Sequence, residues 1–151
     1  MVVVRLLLSK AIVAWQLLLL GALLLSSPTV FSEPKALLVQ IHAHTPAELS
    51  SVLARAELWS EMHDAYIDRP IAIVLHGKEA TAFLRENYGE YRSLVDQAAK
   101  LDAFNVIDIQ ICETWMGSNE IDRDQLPPFI ETVPYGPSHI GALIKAGYQS
   151  F

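Results

Sequence analysis

The chain has one cysteine and five histidines, and most of them stand where apolar runs end. Cys112 closes the run that begins at Asn105 and is followed at once by Glu113. His42 and His44 follow Leu37–Ile41, His76 and Gly77 follow Ile71–Leu75, and His139 comes shortly after Ile130–Tyr135. A thiol reacts as its thiolate, which a helix N-terminus or a neighbouring cation favours. A strand running into a helical turn offers that setting, and protonated His42, His44 or His76 would add to it. Glu113 acts the other way, because an adjacent negative charge raises a thiol's pKa. His42 and His44 are two residues apart, so an extended segment would point both to one side. Gly77 would let the backbone approach a ligand closely. Cys112 with these histidines is also a set of soft-to-borderline ligands for zinc or copper. Their spacing matches no metal signature, so the metal, if there is one, is unknown. The plainer account makes Cys112 a small buried hydrophobe and each histidine a local hydrogen-bonding group. His63 lies on an acidic helix and is assigned no role.

The elements that must position these residues follow from the apolar pattern. Lys35–His42, Ile71–Leu75, Asn105–Ile111 and Phe129–Tyr135 read as strands, the first continuous and suited to burial on both faces, the second strongly β-branched and apolar. Asp108 and Gln110 interrupt the third with period two, which predicts one less buried face or a place near an edge. Thr45, Pro46 and Glu48 mark a helix start. That helix runs to about Asp64 with an apolar stripe of Leu49, Val52, Leu53, Ala56, Leu58 and Trp59. A second helical stretch opens at Gly77, breaks at Asn87–Gly89 and resumes over Tyr91–Leu101. Thr114–Asn119 predicts a short helix or turn, and Asp122–Leu126 another turn. A last helix spans His139–Ala146, capped by Gly136, Pro137 and Ser138 and ended by Gly147. Tyr148–Phe151 adds a short terminal strand. Alternating strands and helix-length crossovers predict an α/β fold: a small flavodoxin-like three-layer domain with a mostly parallel four- to five-stranded sheet. The C-terminal ends of parallel strands share an edge, and open α/β sheets build their sites there.

Residues 1–32 stand apart from this domain, which covers residues 33–151. Arg5 and Lys10 precede an apolar run, Ala11–Leu25, broken only by Gln16, and small or polar residues follow to Ser32. This is the layout of a secretory signal peptide, with Val30 and Ser32 suited to the positions before a cut. The alternative is an uncleaved N-terminal membrane anchor, a tether near the length that spans a bilayer. Either predicts an exported location: periplasmic, or inner-membrane anchored. The segment carries two of the 11 basic residues and none of the 17 acidic ones, so its removal takes the net charge from −6 to −8. An acidic domain with no basic run is not built for nucleic acid.

A single cysteine excludes an internal disulfide and the dithiol chemistry of thioredoxins. No glycine loop with nucleotide spacing surrounds Gly77, and no cofactor is implied. Ser138 beside His139 is better explained as a helix cap than as a nucleophile and base.

Three places carry a family resemblance: His76-Gly77 at a strand end; Cys112 with Glu113–Ile121, Asp124 and Leu126-Pro127; and Val133–Ser138 with Ile140–Leu143 and Ala146–Tyr148. The chain resembles the DsrE/DsrF-like proteins over most of the span from Lys35 onward. The resemblance implies a flavodoxin-like α/β fold, assembly into trimers or hexamers, and a sulfur relay with a persulfide carried on Cys112. It implies a sulfur donor or acceptor protein as partner. The leader separates this chain from cytoplasmic relay proteins and their tRNA thiolation. The expectation is an exported sulfur carrier or sulfurtransferase with Cys112 at its centre and His42, His44, His76, Gly77, Glu113 and His139 in support. The competing expectation is a non-catalytic, oligomeric envelope protein that holds a metal or small ligand at the same edge.

Overall fold

A computed structural model describes residues 36–63 and 69–151 of the chain. The expected leader, residues 1–32, lies outside the described residues. Among the described residues no helix is long and apolar enough to cross a membrane.

Five strands form one sheet: β1 (Leu37–Val39), β2 (Ile71–Leu75), β3 (Ile107–Cys112), β4 (Glu131–Val133) and β5 (Gln149–Ser150). All pairings are parallel and the order is β4-β3-β2-β1-β5. The helices are α1 (Pro46–Met62), α2 (Tyr88–Ala103), α3 (Glu113–Ser118) and α4 (Gly136–Lys145). The three-layer α/β expectation therefore holds, with five strands, every one parallel.

The apolar pattern dictates which face each strand turns where. All five residues of β2 are buried, as two-sided coverage of a central strand requires. Ile73, Leu75, Ile107, Ile109 and Ile111 join Leu49, Leu53, Ala56, Leu94 and Ala98 in the main core beneath α1 and α2. Each fully buried Leu or Ile among them contributes roughly 1.5–3 kcal/mol. On the opposite face Leu38, Ala72, Val74 and Val133 meet Ile140 and Leu143 of α4. That second core is much smaller. The period-two break in β3 falls on it: Asp108 and Gln110 are half-buried there while their neighbours are fully buried. Of the two expected causes, the less buried face is the one that applies, since β3 is an interior strand.

Several boundaries differ from the pattern, each for a local reason. The first strand is only three residues long, because the backbone turns at His42 and Ala43 and reaches φ 51° at His44. The fourth is likewise only Glu131–Val133. The stretch after Gly77 forms two tight 3-10 segments, Lys78–Phe83 and Arg85–Asn87, before α2 begins. The break expected at Asn87–Gly89 appears at Tyr91, whose φ of −106° and ψ of 20° kink α2. Leu58, placed in the stripe of α1, is instead 60% exposed. The last helix starts three residues early, so Tyr135 is its N-cap and Ser138 lies in its first turn.

Candidate functional site

The strand order fixes where a site can form. The helices after β1, β2 and β3 pack on one face, and α4, which follows β4, packs on the other. The switch therefore falls between the neighbouring ends of β3 and β4, and open α/β sheets bind ligands at that point. Cys112 is the last residue of β3 and Gly136 the first of α4. The Gly136 N–H donates to the Cys112 Sγ at 3.2 Å. The thiol is 2% exposed.

His76 belongs to the same place. A side chain added at Gly136 would put its Cβ 3.2 Å from the Cys112 Cβ and 3.3 Å from the His76 Cβ. Gly136 thus brings the two residues together by having no side chain between them. The ring nitrogens of His76 hydrogen-bond to nothing among the described residues. Its ring lies against that of His44, with centroids 4.7 Å apart.

A residue that the sequence pattern does not single out organises these histidines. Glu79, on the first 3-10 segment, is completely buried. Its Oε1 accepts the backbone N–H groups of His76 at 3.0 Å and Gly77 at 2.9 Å. Its Oε2 lies 3.1 Å from the Nδ1 of His44. Gly77 makes room for this: a Cβ there would stand 2.6 Å from the His44 Nδ1 and 2.7 Å from the Glu79 Oε2. The expected close approach at Gly77 is therefore an approach to the chain's own side chains. The signal for Glu79 was a carboxylate two residues beyond a strand-ending glycine, within reach of the N–H groups that the sheet leaves unpaired.

The loop after β1 is held by a second carboxylate. Glu48 accepts the successive N–H groups of His42, Ala43 and His44 at 2.9, 2.7 and 3.0 Å. Its own N–H donates to the Thr45 side chain at 3.2 Å, an N-cap as the sequence predicts. Desolvation acts to raise the Glu48 carboxyl, but the three N–H bonds and the neighbouring His42 side chain outweigh it and hold it below the ordinary range. Consecutive N–H groups of this kind form an anion-binding nest. Here the nest is filled by the protein's own carboxylate. This folding back breaks the extended geometry on which the pairing of His42 with His44 rested. His42 is exposed to solvent, while His44 turns inward to Glu79.

Two other expected residues face elsewhere. The Glu113 carboxylate accepts from the Thr132 hydroxyl at 2.8 Å, which ties α3 to β4. His139, in the first turn of α4, hydrogen-bonds through its backbone to Tyr135, and its Nε2 is buried without a partner, as is the Oε1 of Gln110. Burial foremost, and then the Glu131 carboxylate, push the Asp108 carboxyl up, while Gln110 and His139 oppose them. His139 thus belongs with a polar cluster on the α4 face of the sheet. Among the described residues no three His, Cys, Asp or Glu side chains are arranged to hold a metal ion.

No family model matches the chain, and no curated protein matches it. A solved structure does. The protein of unknown function MTH1491 from Methanobacterium thermoautotrophicum is 13% identical, covers 78% of this chain and 97% of its own, and superposes with a TM-score of 0.63. At that identity the likeness is one of fold: the five-stranded parallel sheet with helices on both sides is an arrangement found in a solved protein.

Proposed function

We propose that this is an exported DsrE-like sulfur carrier, or sulfurtransferase, that takes up sulfane sulfur as a persulfide on Cys112. The observation that carries the reading is the Gly136 N–H aimed at the Cys112 sulfur at the switch point of the sheet. That donor holds the sulfur at the crevice where a ligand would enter. The uptake is redox-neutral. The Cys112 thiolate attacks the outer sulfur of a donor R–S–SH, the new Sγ–S bond forms as the donor S–S bond breaks, and R–S⁻ leaves to take up a proton. The family resemblance at His76-Gly77, Cys112 and Val133–Ser138 supports the same role, and so does the absence of any second cysteine. The donor and acceptor are other proteins or small persulfides, and the assembly in this reading is a trimer or hexamer. Export follows from the leader.

Cys112 is 2% exposed, so a donor reaches it only when its surroundings open. The same burial favours a second reading, an oligomeric envelope protein that binds a small ligand at this edge and keeps Cys112 as packing. Cyanolysis separates the two. After exposure to polysulfide and desalting, the wild type should release thiocyanate on addition of cyanide and Cys112→Ser should release none. Equal release from both proteins favours the second reading.

A further inference from the structure

Glu79 is the only charged residue fully buried among the described residues. Removing a carboxylate from water costs several kcal/mol unless its partners compensate. Two of those partners are backbone N–H groups, which a buried amide oxygen would satisfy equally well. The third is the Nδ1 of His44 at 3.1 Å. His44 itself has a backbone φ of 51°, in the left-handed region that a histidine adopts at a cost. Gly77 is the only residue type that fits between the two side chains. The buried charge of Glu79 and the bare backbone of Gly77 thus converge on one contact, a carboxylate beside an imidazole. Such a contact fixes a proton on Nδ1, and Nε2 makes no hydrogen bond among the described residues. The His44 side chain is 34% exposed.

We propose that Glu79 is a positioning residue that orients His44 as the general acid for the leaving group of the sulfur donor. This rests on the reading of Cys112 as the sulfur acceptor. The departing sulfur of R–S–SH stands two S–S bonds beyond Sγ, each about 2 Å long. Along the edge from Cys112 the strand order places first His76, across Gly136 from the thiol, and then His44, its ring 4.7 Å from that of His76, and the leaving group falls to His44. Cys112 gives its proton to solvent and attacks the outer sulfur. The Sγ–S bond forms, the donor S–S bond breaks with its electron pair on R–S⁻, and Nε2–H of the His44 imidazolium delivers the proton that yields R–SH. His44 regains its proton from solvent. The Glu79 carboxylate balances the positive charge that the ring carries before transfer.

The test compares two donors that differ only in what the leaving group needs. Glutathione persulfide releases an alkyl thiolate, which gains from protonation; thiosulfate releases sulfite, which leaves without it. His44→Gln and Glu79→Gln should slow loading of Cys112 from glutathione persulfide by about 100-fold or more. They should slow loading from thiosulfate far less, because sulfite leaves without a proton. The glutathione persulfide rate of the variants should also lose the fall toward high pH that a general acid imposes. If both donors are slowed alike, or neither is slowed, the residues are merely structural and the proposal is overturned. Should Glu79→Gln fail to fold, His44→Gln, at its partly exposed position, carries the comparison. A wild type that loads from neither donor overturns the Cys112 reading itself. That outcome differs from a loading wild type whose variants ignore the donor.

Discussion

Gly77 has no space for a methyl group, with the His44 Nδ1, His44 Cβ and Glu79 Oε2 all within 2.8 Å of where it would sit. Gly77→Ala should therefore separate His44 from Glu79 and destabilise the protein by about 1–3 kcal/mol, the usual cost of overpacking; urea unfolding measures it. Gly89, where an added Cβ would meet nothing within 4 Å, is the control, and Gly89→Ala should be close to neutral. Asp108 makes a prediction of opposite sign. Its carboxyl is raised in the fold, chiefly by burial and then by Glu131, so the folded state binds a proton more readily than the unfolded chain. Its contribution to stability is present below the unfolded pKa and is lost as pH rises through the folded one. Asp108→Asn should raise the melting temperature at neutral pH and flatten its decline between acidic and neutral pH. At this scale Cys112, His76 and Gly77 were legible in the sequence because they end strands, and a parallel sheet gathers strand ends. Glu79 was not, because a glutamate after Gly-Lys reads as the solvated start of a helix. His42 was misplaced because the parity of an extended chain cannot register a carboxylate six residues on that folds the backbone over.

That carboxylate, Glu48, governs the loop between β1 and α1. Glu48→Gln keeps an oxygen for some of the three N–H groups but removes the charge that strengthens them. We expect a loss of about 1 kcal/mol, discounted for solvent exposure, seen as a lower midpoint in urea. Because the Glu48 carboxyl is lowered in the fold, its contribution is present above the unfolded carboxylate pKa and is lost as pH falls through the folded one. The difference between wild type and Glu48→Gln should therefore shrink in acid. On the same helix, Arg55 stacks 4.6 Å above the Phe151 ring and donates to the Phe151 carbonyl at 3.2 Å, while Trp59 meets that ring edge-on. These contacts strap the two-residue strand β5 against β1, and Phe151→Ala should cost about 1–2 kcal/mol and speed amide exchange at Gln149 and Phe151. At the scale of elements, β2, β3 and α1 were readable because apolar runs and caps are local signals. The 3-10 path after Gly77 was not, since Glu79 draws that turn inward through its bonds to the His76 and Gly77 N–H groups and to the His44 ring on another loop.

Across the whole molecule, the alternation of strands and helices specified a parallel α/β sheet, while the strand order lay beyond the pattern. Nothing local tells β5 to join the far side of β1, yet that return of the chain carries α4 across the opposite face and creates the switch point at Cys112. The lone cysteine excludes an internal disulfide and dithiol exchange within the chain. The central claim is that this thiol, although buried, accepts sulfur. Intact-protein mass spectrometry after brief incubation with polysulfide at neutral pH tests it most directly. Wild type should gain one sulfur atom, about 32 Da, that dithiothreitol removes and that maps to the peptide holding Cys112, as a reversible thiol cap does, and Cys112→Ser should gain none. A folded wild type that stays at its starting mass, or an equal gain in Cys112→Ser, would contradict the account.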